Sequence, residues 1–377
     1  MKIGFDAKRA FSNSSGLGNY SRDTIRILST YYPDNEYQLY TPLISDRFKS
    51  DRFFNTEVIT PGTLIHKLFA SYWRSKGIIK DIRKHGTSIF HGLSNELPFG
   101  IEKSGVKTVV TIHDLIFLRH PGFYKPIDRK IYEKKFSYST EIADKIVAVS
   151  EQTKNDIIDF LGVPAEKILV IYQGCSPLYY IRSSPEKQAM IIKKYNLPEK
   201  YILSVGTIEE RKNQLSIVRA LHEHGIDLPL LLVGNYPSRY SEKIKQYITE
   251  NRMEQVYFLK DIPLEDLTVI YQLADVFVYP SLFEGFGIPI IEALVSGIPV
   301  ITSKEGCFSE AGGEAARYID PLDVEEIAET LKDILDDPDK REKMIAAGIE
   351  HAAKFSDKQI AGNIFNLYVE LQDGWKK

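Results

Sequence analysis

Short β-branched or apolar runs recur along the chain, each followed by a longer amphipathic or charged stretch. That alternation is what a parallel sheet with helical crossovers requires. In the first half it predicts strands at Lys2 to Asp6, Tyr37 to Tyr40, Ser88 to His91, Lys107 to Ile112, Lys145 to Val149 and Ile168 to Tyr172. A second series begins at Tyr201 with YILSVG and continues through LPLLLVG, QVYFL, DVFVYP, IPVITS and AARYI. These runs are apolar almost throughout, as strands covered on both faces must be. Between the two series, Gln173 to Lys200 carries Pro177, Ser183, Ser184, Pro185 and Pro198, and strand periodicity is lost. The boundary is therefore placed near Cys175 to Ile181, which gives domains over 1–175 and 176–356. Helices are predicted over Val324 to Leu335 and Lys340 to Lys354, and Ser356 has the character of an N-cap for a last helix ending near Gln372. That helix belongs to no βαβ unit, and residues 357–377 are assigned to the first domain. The expected fold class is α/β, with two doubly wound parallel-sheet domains.

A length of 377 residues suits two such domains. An apolar fraction of 43%, a charged fraction of 26% and a net charge of -3 give no electrostatic reason to bind nucleic acid. No stretch approaches the roughly 20 apolar residues of a spanning helix. The opening MKIGFDAKRAF is interrupted by Asp6 and lacks a signal-peptide core, so the expected location is the cytoplasm. Cys175 and Cys307 are too few for a disulfide framework or a cysteine-built metal site, and both read as inert.

In doubly wound domains, ligands bind in the loops that follow the strands, beside helix N-termini. The richest such segment is Tyr279 to Ser303, YPSLFEGFGIPIIEALVSGIPVITS, which reads as strand, loop, helix, turn, strand. Glu284 precedes Gly285, Phe286 and Gly287, so a carboxylate stands beside glycines that let the backbone approach a ligand closely. Pro289 falls in the first turn of the helix, whose exposed amides can bind a diphosphate. Glu292 follows within the apolar run IPIIEALV, where an unpaired carboxylate is costly to bury. The bland alternative is that Glu284 caps the helix and Glu292 pairs with a surface lysine.

This segment resembles the E-x7-E signature of retaining glycosyltransferase family 4, whose members have the GT-B fold of two Rossmann-like domains facing a central cleft. The resemblance implies that Glu284 contacts the donor sugar, that Gly285, Phe286, Gly287 and Ile288 face its diphosphate, and that Glu292 binds the ribose. In SVGTIEERKNQ, Arg211 and Lys212 follow a strand and open a helix, a second phosphate-facing position. A solvated helix start is the bland alternative. The stretch resembles the family's phosphate-binding loop, with one departure: many members carry arginine directly after the first glycine, whereas Thr207 follows Gly206 here. Two cations suit a leaving nucleoside diphosphate that gains charge as the glycosidic bond breaks, and no acidic pair for Mg²⁺ is evident, so no metal is expected.

In the first half, Ser15-Gly16-Leu17-Gly18-Asn19-Tyr20 is read as a loop before a helix through Arg22 and Ile27. Alone it is a weak signal; by resemblance, Gly16 and Gly18 belong to the glycine-rich loop facing the donor. VVTIHDLIF places His113 and Asp114 at a strand end, where the family reading makes His113 a contact at the reacting centre and the alternative is a satisfied buried histidine. His91-Gly92 occupies a similar edge and is read as bordering the acceptor. From Gly62 to His85, apolar residues including Leu64, Leu68, Phe69, Tyr72 and Trp73 interleave with Lys67, Arg74, Lys76, Lys80, Arg83 and Lys84. Such a basic amphipathic helix either packs on its domain or rests on an anionic membrane surface, the inner face of the cell membrane in this case.

The expected reaction is a retaining transfer of a hexosyl group, mannosyl in first place, to a saccharide or lipid-linked saccharide. The donor expected first is GDP-mannose, with UDP-sugars second. The sequence offers no unambiguous nucleophile for a double displacement. The resemblance implies same-face substitution, in which the leaving phosphate oxygen takes the acceptor proton. The rival readings are an epimerase or phosphorylase of the same fold, and a nucleotide-sugar-binding protein without turnover.

Overall fold

A computed structural model describes every residue except 14, 15, 46–54, 237, 238 and 375–377, and leaves aside the side chains of residues 64 and 65. The chain forms two compact units, Met1–Gln173 with Ser356–Lys377, and Gly174–Phe355.

The first unit is built on a seven-stranded parallel sheet: β1 (Lys2–Asp6), β2 (Glu36–Tyr40), β3 (Thr56–Ile59), β4 (Ile89–Gly92), β5 (Lys107–Ile112), β6 (Lys145–Ala148) and β7 (Ile168–Val170), in the order β3-β2-β1-β4-β5-β6-β7. The order reverses beside β1, which pairs with β2 on one side and β4 on the other. Such a reversal opens a crevice at the strands' carboxyl ends. Apolar side chains pack against both faces of the sheet: Phe5, Leu39 and Ile89 belong to one core cluster, Tyr40, Phe90 and Val110 to the other.

The second unit repeats the plan with β8 (Ile202–Val205), β9 (Leu230–Val233), β10 (Val256–Leu259), β11 (Val276–Tyr279), β12 (Val300–Ser303) and β13 (Arg317–Ile319), all parallel, in the order β10-β9-β8-β11-β12-β13. The reversal lies between β8 and β11, so the loops after these two strands are neighbours. These are the loops that carry Arg211 with Lys212, and Glu284.

The last helix, Asp357–Asp373, lies in the first unit. Arg26 holds Asp357 through two hydrogen bonds of 2.7 and 3.1 Å, and Phe365 stacks on Tyr32 at 3.8 Å between ring centres. Ser356 occupies the N-cap position, but its side chain makes no capping bond.

Three expectations are corrected. Gly16 and Gly18 are not in a loop: the helix Gly16–Tyr31 already contains them, while Ser15 lies outside the described residues. Gly18 is needed because a Cβ there would stand 2.0 Å from the Asn13 carbonyl oxygen. The stretch 62–85 is not one helix but short helical pieces, Leu64–Leu68, Ala70–Tyr72 and Ile78–Lys84, with a π-helical turn at Trp73–Gly77. Trp73 is fully buried and donates to Asp81 at 2.7 Å, and Arg74 is drawn inward to Asp6 and Glu96, so neither belongs to a solvent-facing stripe. His91 is not open at the sheet edge: it is fully buried, with Nδ1 2.6 Å from the Tyr368 hydroxyl and Nε2 2.8 Å from Thr111 Oγ1.

Candidate active site

The loop after β8 starts at Gly206, whose φ of +144° is open to glycine and costly for other residues. A short 3₁₀ turn, Glu210–Lys212, and the left-handed Asn213 then lead into the helix Gln214–Glu223. The turn aims Arg211 and Lys212 at the neighbouring loop. Its backbone is tied there, because the Arg211 carbonyl accepts from the Leu282 amide at 2.7 Å and from Ser281 Oγ at 3.1 Å.

Glu284 is where these loops meet. Its Oε1 accepts from Lys212 Nζ at 2.5 Å, Ser281 Oγ at 2.6 Å, Arg211 Nη1 at 2.7 Å and the Tyr279 hydroxyl at 3.1 Å. Among the described residues none donates to Oε2. Burial alone would push this carboxyl up, but Lys212 and Arg211 outweigh it and hold it at about 2. Glu284 is therefore ionised at neutral pH. Burial pulls Lys212 below the ordinary lysine value, with Glu284 opposing and Arg211 assisting. Arg211 is also fixed by Glu209 at 2.7 Å and by the Phe283 carbonyl at 2.7 Å.

The strand side of the site is braced from β12, where Ser303 donates to the Ser281 carbonyl at 2.6 Å and Thr302 to that of Tyr279 at 3.0 Å. Cys307, fully buried, points its thiol at the carbonyls of Phe286 (2.9 Å) and Glu284 (3.3 Å). Burial raises this thiol well above its ordinary value, so it stays a neutral donor. Sequence reasoning missed Tyr279, Ser281 and the positioning part of Cys307. The only local signal was the hydroxyl-bearing YPS at the strand end.

Gly287, at φ +118°, caps the helix Ile288–Ser296 without a side chain, so Glu284 is not the cap, and Pro289 sits in the first turn. In its first turn Pro289 has no N–H and Ile290 donates to the Gly287 carbonyl at 3.0 Å, so the Ile288 amide is the one without an acceptor inside the helix. One turn on, Glu292 accepts from the Tyr271 hydroxyl at 3.0 Å. Tyr179 packs its ring edge-on against Tyr271 at 5.3 Å; burial first, and then the Glu292 charge, raise its phenol.

In the first unit, His113 follows β5 with its ring edge-on to Tyr20 at 4.6 Å. Its Nε2 lies 2.9 Å from the Leu93 carbonyl, which requires the proton on that nitrogen, and Nδ1 faces the Gln173 amide at 3.4 Å. Burial lowers its pKa to about 4, so the ring is neutral at neutral pH. Asp114 accepts from the Ile116 amide at 3.2 Å.

Residues 16–177 match the family described as Glycosyltransferase Family 4, and residues 187–351 match Glycosyl transferases group 1. The O-antigen chain mannosyltransferase B of Escherichia coli is 33% identical over 294 residues, covering 76% of this chain and 75% of that one. The chain belongs to glycosyltransferase family 4. A second Escherichia coli relative, the serotype-specific mannosyltransferase WbdA, is 31% identical over 71% of this chain, which spans only 34% of that longer protein. Among solved structures, Anabaena HepE in complex with UDP superposes with a TM-score of 0.76 at 18% identity, covering 98% of this chain and 100% of that one. This family 4 enzyme thus has the GT-B pair of parallel α/β sheet domains.

Proposed function

We propose that this enzyme transfers a hexosyl group, mannosyl in first place, from a nucleoside-diphosphate sugar to a saccharide or lipid-linked saccharide, with retention and without a metal. The observation that carries this reading is the convergence of two cations and two hydroxyls on one oxygen of Glu284. It fixes an ionised carboxylate whose second oxygen is available to a sugar hydroxyl. Two largely desolvated cations on that carboxylate suit the charge that develops on a departing diphosphate.

In this reading Glu284 orients the transferred sugar, Gly285 to Ile288 with Arg211 and Lys212 hold the diphosphate, and Glu292 with Tyr271 holds the ribose. Retention then follows from same-face departure and attack, with the leaving phosphate oxygen taking the acceptor proton. His113, Gly16 and Gly18 enter through the family resemblance. The low basicity of His113 suits a neutral hydrogen-bonding contact rather than a proton acceptor. The mannosyl preference and the saccharide acceptor rest on the O-antigen mannosyltransferase relatives. The exposed Leu68, Phe69 and Tyr72 beside Lys67 and Lys76 support peripheral contact of the first unit with an anionic membrane surface.

A thermal-shift panel of nucleotide sugars with and without EDTA tests the donor. GDP-mannose is expected to raise the melting temperature equally in both. A response to UDP-sugars alone would replace the base assignment, and a shift abolished by EDTA would overturn the metal-free reading. Release of GDP and mannosylated product separates a transferase from a binding protein without turnover and from an epimerase.

A further inference from the structure

A second charged cluster, wholly within the first unit, surrounds a pocket at the carboxyl end of β1. Arg74 is its keystone: it reaches Asp6 at 2.6 Å and Glu96 at 3.0 Å, and Lys135 meets the other oxygen of Glu96 at 3.1 Å. These groups satisfy one another, and the Arg74 and Lys135 charges hold the Glu96 carboxyl below the usual range although burial opposes them. Lys8 also lines the pocket and is half-buried, yet among the described residues its ammonium has neither a hydrogen bond nor an ion pair. Three cations thus face two carboxylates, and the unmatched charge is the one on Lys8. Burial, followed by Arg74 and Arg9, pulls its pKa down, which marks an ammonium that an incoming anion would stabilise.

The pocket has a volume of about 140 Å³. That is about ten times what one water needs, so it admits part of a small molecule. Leu97, Pro98 and Phe99 also line it, the last tilted on Tyr138 at 4.5 Å between ring centres, together with Ser71 and Ser139. An apolar wall beside hydroxyls and one unmatched cation suits a sugar ring that carries a single anionic group.

We propose that this pocket receives the phosphate-bearing end of the acceptor, with Lys8 as the residue that pairs with the phosphate. That the ligand is an acceptor rests on the transferase reading above; the anion site itself does not. The phosphate has two sources. One is a soluble sugar phosphate. The other is a lipid-borne phosphate, because the two helical segments that line the pocket also expose apolar side chains: Tyr72 lies next to Ser71, and Ile127 and Ile131 share the helix Pro126–Ile142 with Lys135.

The test uses the full chain and its Lys8→Ala and Lys8→Arg variants, with GDP and UDP present to occupy the donor site. Calorimetry with glucose 6-phosphate, inorganic phosphate and uncharged glucose forms the soluble arm. Co-sedimentation with phosphatidylcholine vesicles, with and without phosphatidylglycerol, forms the lipid arm. Loss of one charge-assisted pair predicts about a tenfold or greater weakening in Lys8→Ala and recovery in Lys8→Arg. Lys8-dependent binding of glucose 6-phosphate assigns the soluble source, and Lys8-dependent binding confined to the phosphatidylglycerol vesicles assigns the lipid-borne one. Either supports the site. Binding that is absent from both arms, indifferent to Lys8, or equal for glucose and glucose 6-phosphate overturns it. Nucleotide-induced thermal shifts on the same variants are expected to be unchanged. Their loss in the wild type would count against the transferase reading and not against the pocket.

Discussion

Lys212 Nζ stands 2.5 Å from Glu284 Oε1, and the two residues come from loops that follow different strands, β8 and β11. The pair joins 72 positions of sequence into one charged centre. Both side chains are only 12% exposed, so each depends on the other to remain charged inside the protein.

Removing either partner should therefore suppress transfer. Lys212→Ala is expected to lower kcat by about 10²–10³-fold, the usual cost of losing one preorganised electrostatic group. Glu284→Gln should act similarly while keeping the shape of the loop. Because a broken buried pair also destabilises, by about 3–5 kcal/mol, circular dichroism and melting curves should accompany turnover. A fully active Lys212→Ala enzyme would sink the assignment.

The alkaline limb of activity should come early. The charge on Lys212 is lost as pH rises through its pKa, and burial places that pKa below the ordinary lysine value. Glu284, held at about 2, stays ionised across the same range and contributes no acid limb near neutrality. The pH profile of kcat should thus fall on the basic side, and Lys212→Arg should push that fall to higher pH or remove it.

Glu292→Ala should weaken donor binding more than turnover, since its place on the helix beyond the glycine turn suits a ribose contact. A rise of about tenfold in donor KM with a smaller change in kcat is expected, and Tyr271→Phe should give a milder form of the same change. A selective loss of kcat would contradict the division of labour.

Acid should loosen the first unit before carboxylates titrate. Burial lowers His91 to about 3 and His113 to about 4, against an ordinary value near 6.5. Between those limits the unfolded chain binds protons that the folded one does not, so stability is present above about pH 6.5 and is lost as pH falls toward 4 and 3. The shift at His91 corresponds to about 5 kcal/mol as an upper bound. Urea midpoints across this window should drop steeply, and less so in His91→Asn.

Both thiols should be silent in the native state. Cys175 and Cys307 are buried, and Cys307 is a neutral donor to the loop of Glu284. Labelling with a thiol reagent should proceed only on unfolding, and Cys307→Ala should leave the fold intact while lowering kcat. Rapid native labelling of Cys307 would contradict the buried placement.

The strands in the middle of each sheet were legible because they are runs buried on both faces: Lys2–Asp6 and Lys107–Ile112 coincide with the runs read from sequence. Thr56–Ile59 was missed because TEVI at the sheet edge is short, half-polar and paired on one side only. The stretch 62–85 misled because alternating cations and apolar residues look amphipathic whether or not the backbone is continuous. Only the tertiary partners Asp6 and Glu96 explain why Arg74 turns inward. Glu284, Arg211 and Lys212 stood out because carboxylate, glycines and cations cluster locally at strand ends. Cys307 acts through contacts that form only once the loops after β11 and β12 lie side by side, while Tyr279 and Ser281 reach Glu284 within one loop through a bend that residue types alone do not report.

The return of the chain to the first unit at Ser356 sets an order of events during synthesis. His91 is made before any residue of the second unit, but its hydroxyl partner Tyr368 is made after all of them. As the chain emerges from the ribosome, the second unit has all its residues in hand while the first still lacks the helix that closes one face of its core. A stop codon just before Asp357 would leave that face, and the buried imidazole behind it, open to water.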